Sequence, residues 1–247
     1  MSGYVSFAGV YDRLTLEIDY PARGRYFDEC IRRHGGKKGV LLDMGCGTGS
    51  MCEVMAGLGY DVMGADDSYE MLTEAMNKRM QSGADIVYVA QSMTELDLPG
   101  KVDVIISTLD SLNHLTEYAD FDRAIERAAL FLEKDGVFVF DVNSVYKHER
   151  ILAGNTFVYD LDDIYCVWQN TPGEGYLTEM DLDIFVQDED GAYTRMEDHF
   201  AERGYTHEQI TASLQKHGLK LCAVYHADSF DPPREDSQRL IYVAKHA

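Results

Sequence analysis

The stretch Asp43-Met44-Gly45-Cys46-Gly47-Thr48-Gly49 follows the apolar run Val40-Leu41-Leu42 and precedes Met51-Cys52 and Val54-Met55. The run before it reads as a buried parallel strand, and the residues after it as a helix stopped near Gly57 and Gly59. Glycines at such a junction let the backbone turn tightly and approach a ligand closely. The free N–H groups at the start of a helix favour a negative group. Spacing narrows the ligand. A dinucleotide fingerprint needs Gly at the first, third and sixth positions. Counting from Gly45, the sixth position is Ser50, and the third glycine arrives one residue early. A phosphate-binding Walker loop would end in Gly-Lys-Ser/Thr, which is absent here.

Outward from the turn, strands and helices alternate. Tyr60 to Ala65 predicts a second strand ending at Asp66, and Ser68 an N-cap. Met71, Leu72, Ala75, Met76 and Met80 repeat at helical spacing up to Gly83. Ile86 to Val89 and Val102 to Ser107 predict a third and a fourth strand. Phe121, Ala124, Ile125, Ala128, Ala129 and Leu132 mark one face of an amphipathic helix, and Val137 to Phe140 a fifth strand. Thr206 with Gln209 approximates a capping box before a helix running to His217-Gly218. Leu219 to Tyr225 and Leu240 to Ala244 supply two last strands. The expected fold is α/β, a doubly wound, mostly parallel seven-stranded sheet.

One segment breaks the rhythm. From 156 to 200 the pattern is β throughout, with turns at Pro172-Gly173 and Asp190-Gly191. Thr178, Met180, Leu182, Ile184 and Val186 form a largely apolar face, opposite Glu179, Asp181 and Asp183. That alternation marks a half-covered antiparallel strand. The expected organisation is a main domain of residues 1–154 and 201–247 and an antiparallel β insertion of 155–200. Between 155 and 205, thirteen acidic residues face two basic ones, about half of the net charge of −21.

The whole pattern resembles the class I S-adenosylmethionine-dependent methyltransferases, whose first motif is an apolar strand, an acid, then G-x-G-x-G. In that family the turn, here Asp43, Gly45, Cys46, Gly47 and Gly49, holds the methionine and ribose portions of the cofactor. The product is S-adenosylhomocysteine. Gly64-Ala65-Asp66-Asp67-Ser68-Tyr69-Glu70-Met71-Leu72 is similar to the second motif. The resemblance implies that Asp66 takes the ribose hydroxyls, that Asp67 could share the role, and that Met71 packs near the adenine. A carboxylate there suits a diol; the other reading of Asp66 is an N-terminal charge on the next helix. Gln91-Ser92-Met93 stands at the third motif, with Ser92 where the family often has an acid. Asp103 to Leu115 resembles the fourth motif, which lines the methyl-transfer site. Tyr4 to Asp12, with Tyr20, resembles the leading helix of small-molecule members. Tyr11 and Tyr20 are then cofactor contacts, or else packing aromatics. Asp141 to Lys147, with Trp168-Gln169-Asn170, is similar to a bacterial subgroup with a β insertion that forms a lid or a homodimer contact.

Composition bounds the partners. At 45% hydrophobic and 26% charged residues the chain is ordinarily globular. No apolar stretch approaches a membrane span, and the first ten residues show no signal peptide pattern. Five cysteines without a C-x-x-C pair argue against a disulfide framework or a zinc site and for a reducing, cytoplasmic compartment. A net charge of −21 disfavours nucleic acid and anionic membranes. No metal is expected. A small-molecule methyl acceptor is, and the acidic insertion favours a cationic or amine-bearing one.

Sites in open α/β sheets lie beyond the carboxyl ends of the strands. There Asp110, Asn113 and His114 follow the fourth strand as candidates for touching substrate, with Asp110 and His114 as candidate catalytic groups, and Asn143 and Ser144 follow the fifth, where they could orient substrate. His114 could take a proton near neutral pH, or be a capping or partly buried imidazole. Asp110 reads equally as the N-cap of a short turn, and Asn143 and Ser144 as caps of the helix holding Tyr146 and His148. Trp168, Tyr159, Tyr165 and Tyr176 are acceptor-pocket aromatics or core. Two other functions fit a glycine turn: nicotinamide-dependent oxidoreduction, which the spacing disfavours, and non-catalytic cofactor binding.

Overall fold

Val40–Met44 (β1) lies at the heart of a seven-stranded sheet, its last four residues buried on both faces. It pairs in parallel with Asp61–Asp66 (β2) on one side and with Val102–Ser107 (β4) on the other. Ile86–Ala90 (β3) extends the sheet beyond β2, and Leu132–Asn143 (β5) extends it beyond β4, both in parallel. Arg239–His246 (β11) joins β5 in antiparallel sense, and Leu219–His226 (β10) closes that edge, also antiparallel. The order is therefore β10-β11-β5-β4-β1-β2-β3. These features come from a computed structural model, which describes residues 7–247. Tyr4, Val5 and Ser6 of the expected leading helix lie outside the described residues.

Helices cover both faces. Tyr20–Arg33 (α2), Ser50–Gly57 (α3) and Tyr69–Ser82 (α4) cover one face, and Tyr118–Phe131 (α5) and His207–Lys216 (α6) the other. One apolar core packs Phe121, Ile125, Phe138, Phe140 and Tyr242; the other packs Phe27, Ile31, Leu41, Met55 and Val139. The capping signals act locally as expected. Ser68 accepts the Met71 N–H, and Gly83 ends α4 in the left-handed region. Thr206 and Gln209 form a complete capping box, a device contributing about 1 kcal/mol.

The fifth strand is longer than its Val137–Phe140 apolar heart, because Leu132 to Gly136 already pair or extend beside β4. A second sheet follows: Thr156–Asp160 (β6), Ile164–Pro172 (β7), Leu177–Gln187 (β8) and Tyr193–Arg203 (β9), all antiparallel. Along β8, Thr178, Met180, Leu182 and Ile184 are buried, whereas Glu179 and Asp181 are exposed. The apolar face packs with Val10, Phe7 and Leu14 of Phe7–Leu14 (α1). That small core sets α1 and the second sheet against each other, above the carboxyl ends of the parallel strands.

Candidate active site

A cleft of about 1140 Å³ opens where those strands end, with the glycine turn as floor and α1 and the second sheet as roof. Gly45 and Cys46 both donate their N–H groups to the Ala65 carbonyl, at 2.8 and 3.0 Å, fastening the turn to β2. Gly45, Gly47 and Gly49 all have positive φ. The reason for glycine differs between them. A Cβ on Gly45 would meet Ser111 at 2.7 Å, and one on Gly49 the Tyr88 hydroxyl at 2.4 Å. A Cβ on Gly47 would meet nothing within 4 Å and would stand in the cleft, in space left for a ligand.

Beside it, Asp66 accepts the Gly47 N–H through Oδ2 at 2.8 Å and the Ser68 N–H through Oδ1 at 3.0 Å. Burial pushes its carboxyl above the ordinary range, and these two N–H bonds oppose that shift. Asp66 lines the cleft with Asp67, Met71 and Met93, and Tyr11 and Tyr20 line it from the α1 side. The floor thus offers a carboxylate for a diol and thioether walls for a flat ring. These residues fit an adenosyl group. Asp12 holds the roof down: it accepts from Thr48 at 2.7 Å and pairs with Lys78 of α4 at 2.5 Å.

Three expected floor residues lie elsewhere. Asp43 is buried beneath the turn, where its Oδ2 accepts from the Cys52 thiol at 3.4 Å, and burial pushes its carboxyl up to about 7. Gly49 serves packing against α4 and β3 rather than the cleft. Ser92 turns to Thr94, 3.1 Å away, so that Met93 alone represents the third motif in the cleft.

At the other end, Leu109 and Asp110 both adopt positive φ, 56° and 61°, a costly conformation for side chains of this kind. Asp141 holds them there. Its carboxylate accepts both backbone N–H groups, at 2.8 and 2.7 Å, and pairs with Arg23 and Arg239, each at 2.5 Å. Asp110 stands at the N-cap position of the Ser111–His114 turn, but its side chain makes no capping bond. Its Oδ1 pairs with Arg239 at 2.7 Å instead. Burial opposes the ionisation of Asp110, but Arg239, Lys147 and His114 pull its pKa well below the usual range.

Asn113 and Asn143 face away from the cleft, which corrects their reading as substrate contacts. Asn113 is fully buried and bridges β5 to β9: its amide donates to the Asn143 and Arg203 carbonyls and accepts the Asn143 N–H. Asn143 donates from Nδ2 to Asp110 at 2.6 Å and to Glu202 at 2.8 Å, backing both carboxylates. Ser144 caps the π-helical turn Lys147–Leu152 by accepting the Lys147 N–H. Asn143 ends β5, where the pleat turns it inward, and Asn113 is turned inward by the Ser111–His114 turn.

Glu202 was not among the residues expected here. It is 2% exposed, lines the cleft and lies 3.8 Å from Nε2 of His114. Its signal was the two-residue period of β9: Met196, Asp198, Phe200 and Glu202 share one face, and all four line the cleft. His114 stands half-exposed on the cleft wall, its ring 5.3 Å from Phe200. Burial pulls its imidazole below the ordinary value, against the neighbouring carboxylates. Trp168 and Tyr159 line the cleft; Tyr165 and Tyr176 are exposed and do not. Of the acidic insertion, Glu197 and Asp198 line the cleft as Glu202 does; Arg195, also in the lining, pairs with Glu197 and Asp183, and Asp181 pairs with His199. Among the described residues, no cluster of His, Cys, Asp and Glu has the arrangement of a metal site.

A doubly wound sheet with this turn, Asp66 at the end of β2 and a roofed cleft defines a class I S-adenosylmethionine-dependent methyltransferase. Residues 41–136 match the family described as a methyltransferase domain. A protein named as a methyltransferase from Geobacillus sp. (strain WCH70) is 31% identical over 98% of this chain and 99% of its own. The crystal structure of an S-adenosylmethionine-dependent methyltransferase from Clostridium acetobutylicum ATCC 824 superimposes with a TM-score of 0.90, at 29% identity over 98% of each chain. A dTDP-3-amino-3,6-dideoxy-alpha-D-glucopyranose N,N-dimethyltransferase from Streptomyces fradiae is 25% identical over 82% of this chain and 78% of its own. The chain belongs to the methyltransferase family. Its cofactor is S-adenosylmethionine, and the glycine spacing that disfavoured a nicotinamide cofactor agrees with that.

Proposed function

We propose that the protein methylates a small molecule, and that the methylated atom is an amine nitrogen. The observation that carries this reading is the size and wall chemistry of the cleft. Pockets for single small ligands run to roughly 1,000 Å³, and the volume of about 1140 Å³ admits a cofactor with a compact acceptor beside it. The cleft wall carries the carboxylates Asp110, Glu197, Asp198 and Glu202 with the cations Lys147, Arg195 and Arg239 beside them, so negative charge is in excess, against Trp168 and Phe200. Carboxylates with aromatic faces suit a cation. The Streptomyces fradiae relative acts on an amino sugar, which agrees.

When bound, the cofactor supplies an activated methyl group on sulfur. The chain's own residues fix where that group points. Asp66 holds the diol, the glycine turn receives the amino-acid end, and Tyr11 and Tyr20 close over it from α1. Positioning of this kind can lower a barrier by ~7–11 kcal/mol in favourable cases. The 155–200 insertion acts as the lid of the acceptor side, and the two remaining segments form the cofactor domain. The experiment is methyl transfer from labelled S-adenosylmethionine to matched sets of amines, alcohols and thiols. Label in the amines supports the reading; label only in alcohols or thiols overturns it.

A further inference from the structure

Resting on that amine reading, we propose that Glu202 is the catalytic base, taking a proton from the acceptor's ammonium through its Oε1. The assignment starts from Asn143. Lys147 donates to its Oδ1 at 3.0 Å, which fixes the amide with Nδ2 toward the carboxylates. Both Nδ2 hydrogens are then committed, one to Oδ2 of Asp110 and one to Oε2 of Glu202. Two carboxylates thus share one neutral donor, a pair in which one is pushed toward the protonated form.

Their surroundings decide which. Asp110 has Oδ1 on Arg239 and Oδ2 on Asn143, so both its oxygens are taken by donors. Glu202 has Oε2 on Asn143, while its Oε1 looks toward His114 at 3.8 Å, beyond hydrogen-bond distance. The charged and titratable groups facing Glu202 are Asp110 beyond β4, His114 in the Ser111–His114 turn, Lys147 and His148 in the π-helical turn, and Arg239 of β11. His148 offers no cation: its Nδ1 is bonded to Thr178 Oγ1 at 2.9 Å, and burial pulls its pKa down to about 4. Burial and the Asp110 charge outweigh the Asn143 bond and the charges of Lys147 and Arg239, and Glu202 is pushed up to about 8. A carboxylate with that affinity for protons is matched to a base working near neutral pH.

The step is a proton transfer. The ammonium N–H bond breaks, an O–H bond forms on Oε1, and the bonding pair stays on nitrogen as the lone pair that attacks the methyl group. Glu202 becomes neutral, which relieves its repulsion with Asp110.

The test compares wild type, Glu202→Gln and Glu202→Asp, each saturated with cofactor. Glycine, ethanolamine, glucosamine and putrescine serve as acceptors, with glycolate, ethylene glycol and glucose as alcohol controls. Expected are unchanged S-adenosylhomocysteine affinity, a fall in amine kcat of ~10²–10⁴-fold for Glu202→Gln, and partial recovery in Glu202→Asp. Wild-type kcat should rise with pH to a plateau with a midpoint near 8, and Glu202→Gln should lack that limb. Amine turnover by Glu202→Gln at the wild-type rate and pH profile would overturn the role of Glu202 and leave the amine reading standing. Turnover of alcohols alone would overturn both. Carboxyl carbon NMR of the S-adenosylhomocysteine complex decides without an acceptor: one glutamate should titrate near 8 and vanish in Glu202→Gln, and its titration below 5.5 would sink the assignment.

Discussion

Gly47 donates its amide N–H to Oδ2 of Asp66 at 2.8 Å, so the glycine turn and the acid ending β2 are one mechanical unit. Substituting Asp66 with Ala removes the acceptor for a ribose diol and also frees the turn. Charged hydrogen bonds contribute ~1.5–3 kcal/mol each, so the dissociation constant for S-adenosylmethionine should rise roughly 10- to 150-fold. Calorimetric titration checks it. Unchanged affinity in a folded Asp66→Ala protein contradicts the assignment.

Gly47 and Gly49 should respond differently to alanine. At Gly47 the new methyl group meets no protein atom, so the fold should lose only the ~1–2 kcal/mol of a left-handed alanine. Cofactor affinity should fall sharply there. At Gly49 the methyl group collides with Tyr88 and with Ala75, at 2.4 and 2.9 Å, so stability should fall much further. Paired melting curves and cofactor titrations separate the two outcomes.

Arg239 neutralises two buried carboxylates at once, Asp110 and Asp141. Breaking such a buried pair costs about 3–5 kcal/mol, so Arg239→Met should be strongly destabilised in urea at pH 7. Both carboxyls are held below the ordinary range in the folded protein, Asp141 by Arg239 and Arg23 against its burial. Their contribution is present above the unfolded carboxylate pKa and is lost as pH falls through the folded one. The gap between variant and wild type should therefore narrow below pH 4.

Asp43 and Glu202 carry the opposite sign. Burial raises them to about 7 and about 8, so the folded chain keeps protons that the unfolded chain has released. Stability should decline as pH rises from about 4.5 to 8. Asp43→Asn should flatten that decline up to pH 7, and Glu202→Gln up to pH 8. Urea denaturation at pH 5, 6, 7 and 8 measures both slopes.

What was legible in the residues was local. The turn, Asp66, the Ser68 cap and the Thr206 capping box all depend on neighbours within a few positions, and each is where its pattern put it. Asn113, Asn143 and Ser92 stand at or just beyond the carboxyl ends of the strands, as expected, but whether a side chain faces the cleft or backs it depends on distant partners such as Arg203, Glu202 and Asp110. Arg239 and Arg23 meet Asp141 from opposite ends of the chain, which no motif joins. Glu202 was readable only in part. Its alternation with Asp198 and Phe200 marks an inward face, yet an acid there looks like any charge in an acidic insertion until Asn143 is beside it.

The central claim is that this cleft methylates a small molecule. Incubating the protein with methyl-labelled S-adenosylmethionine and a cell extract, then separating metabolites from macromolecules, tests it most directly. The account predicts label in the low-molecular-weight fraction, on amine nitrogen. Label confined to protein or RNA would contradict it.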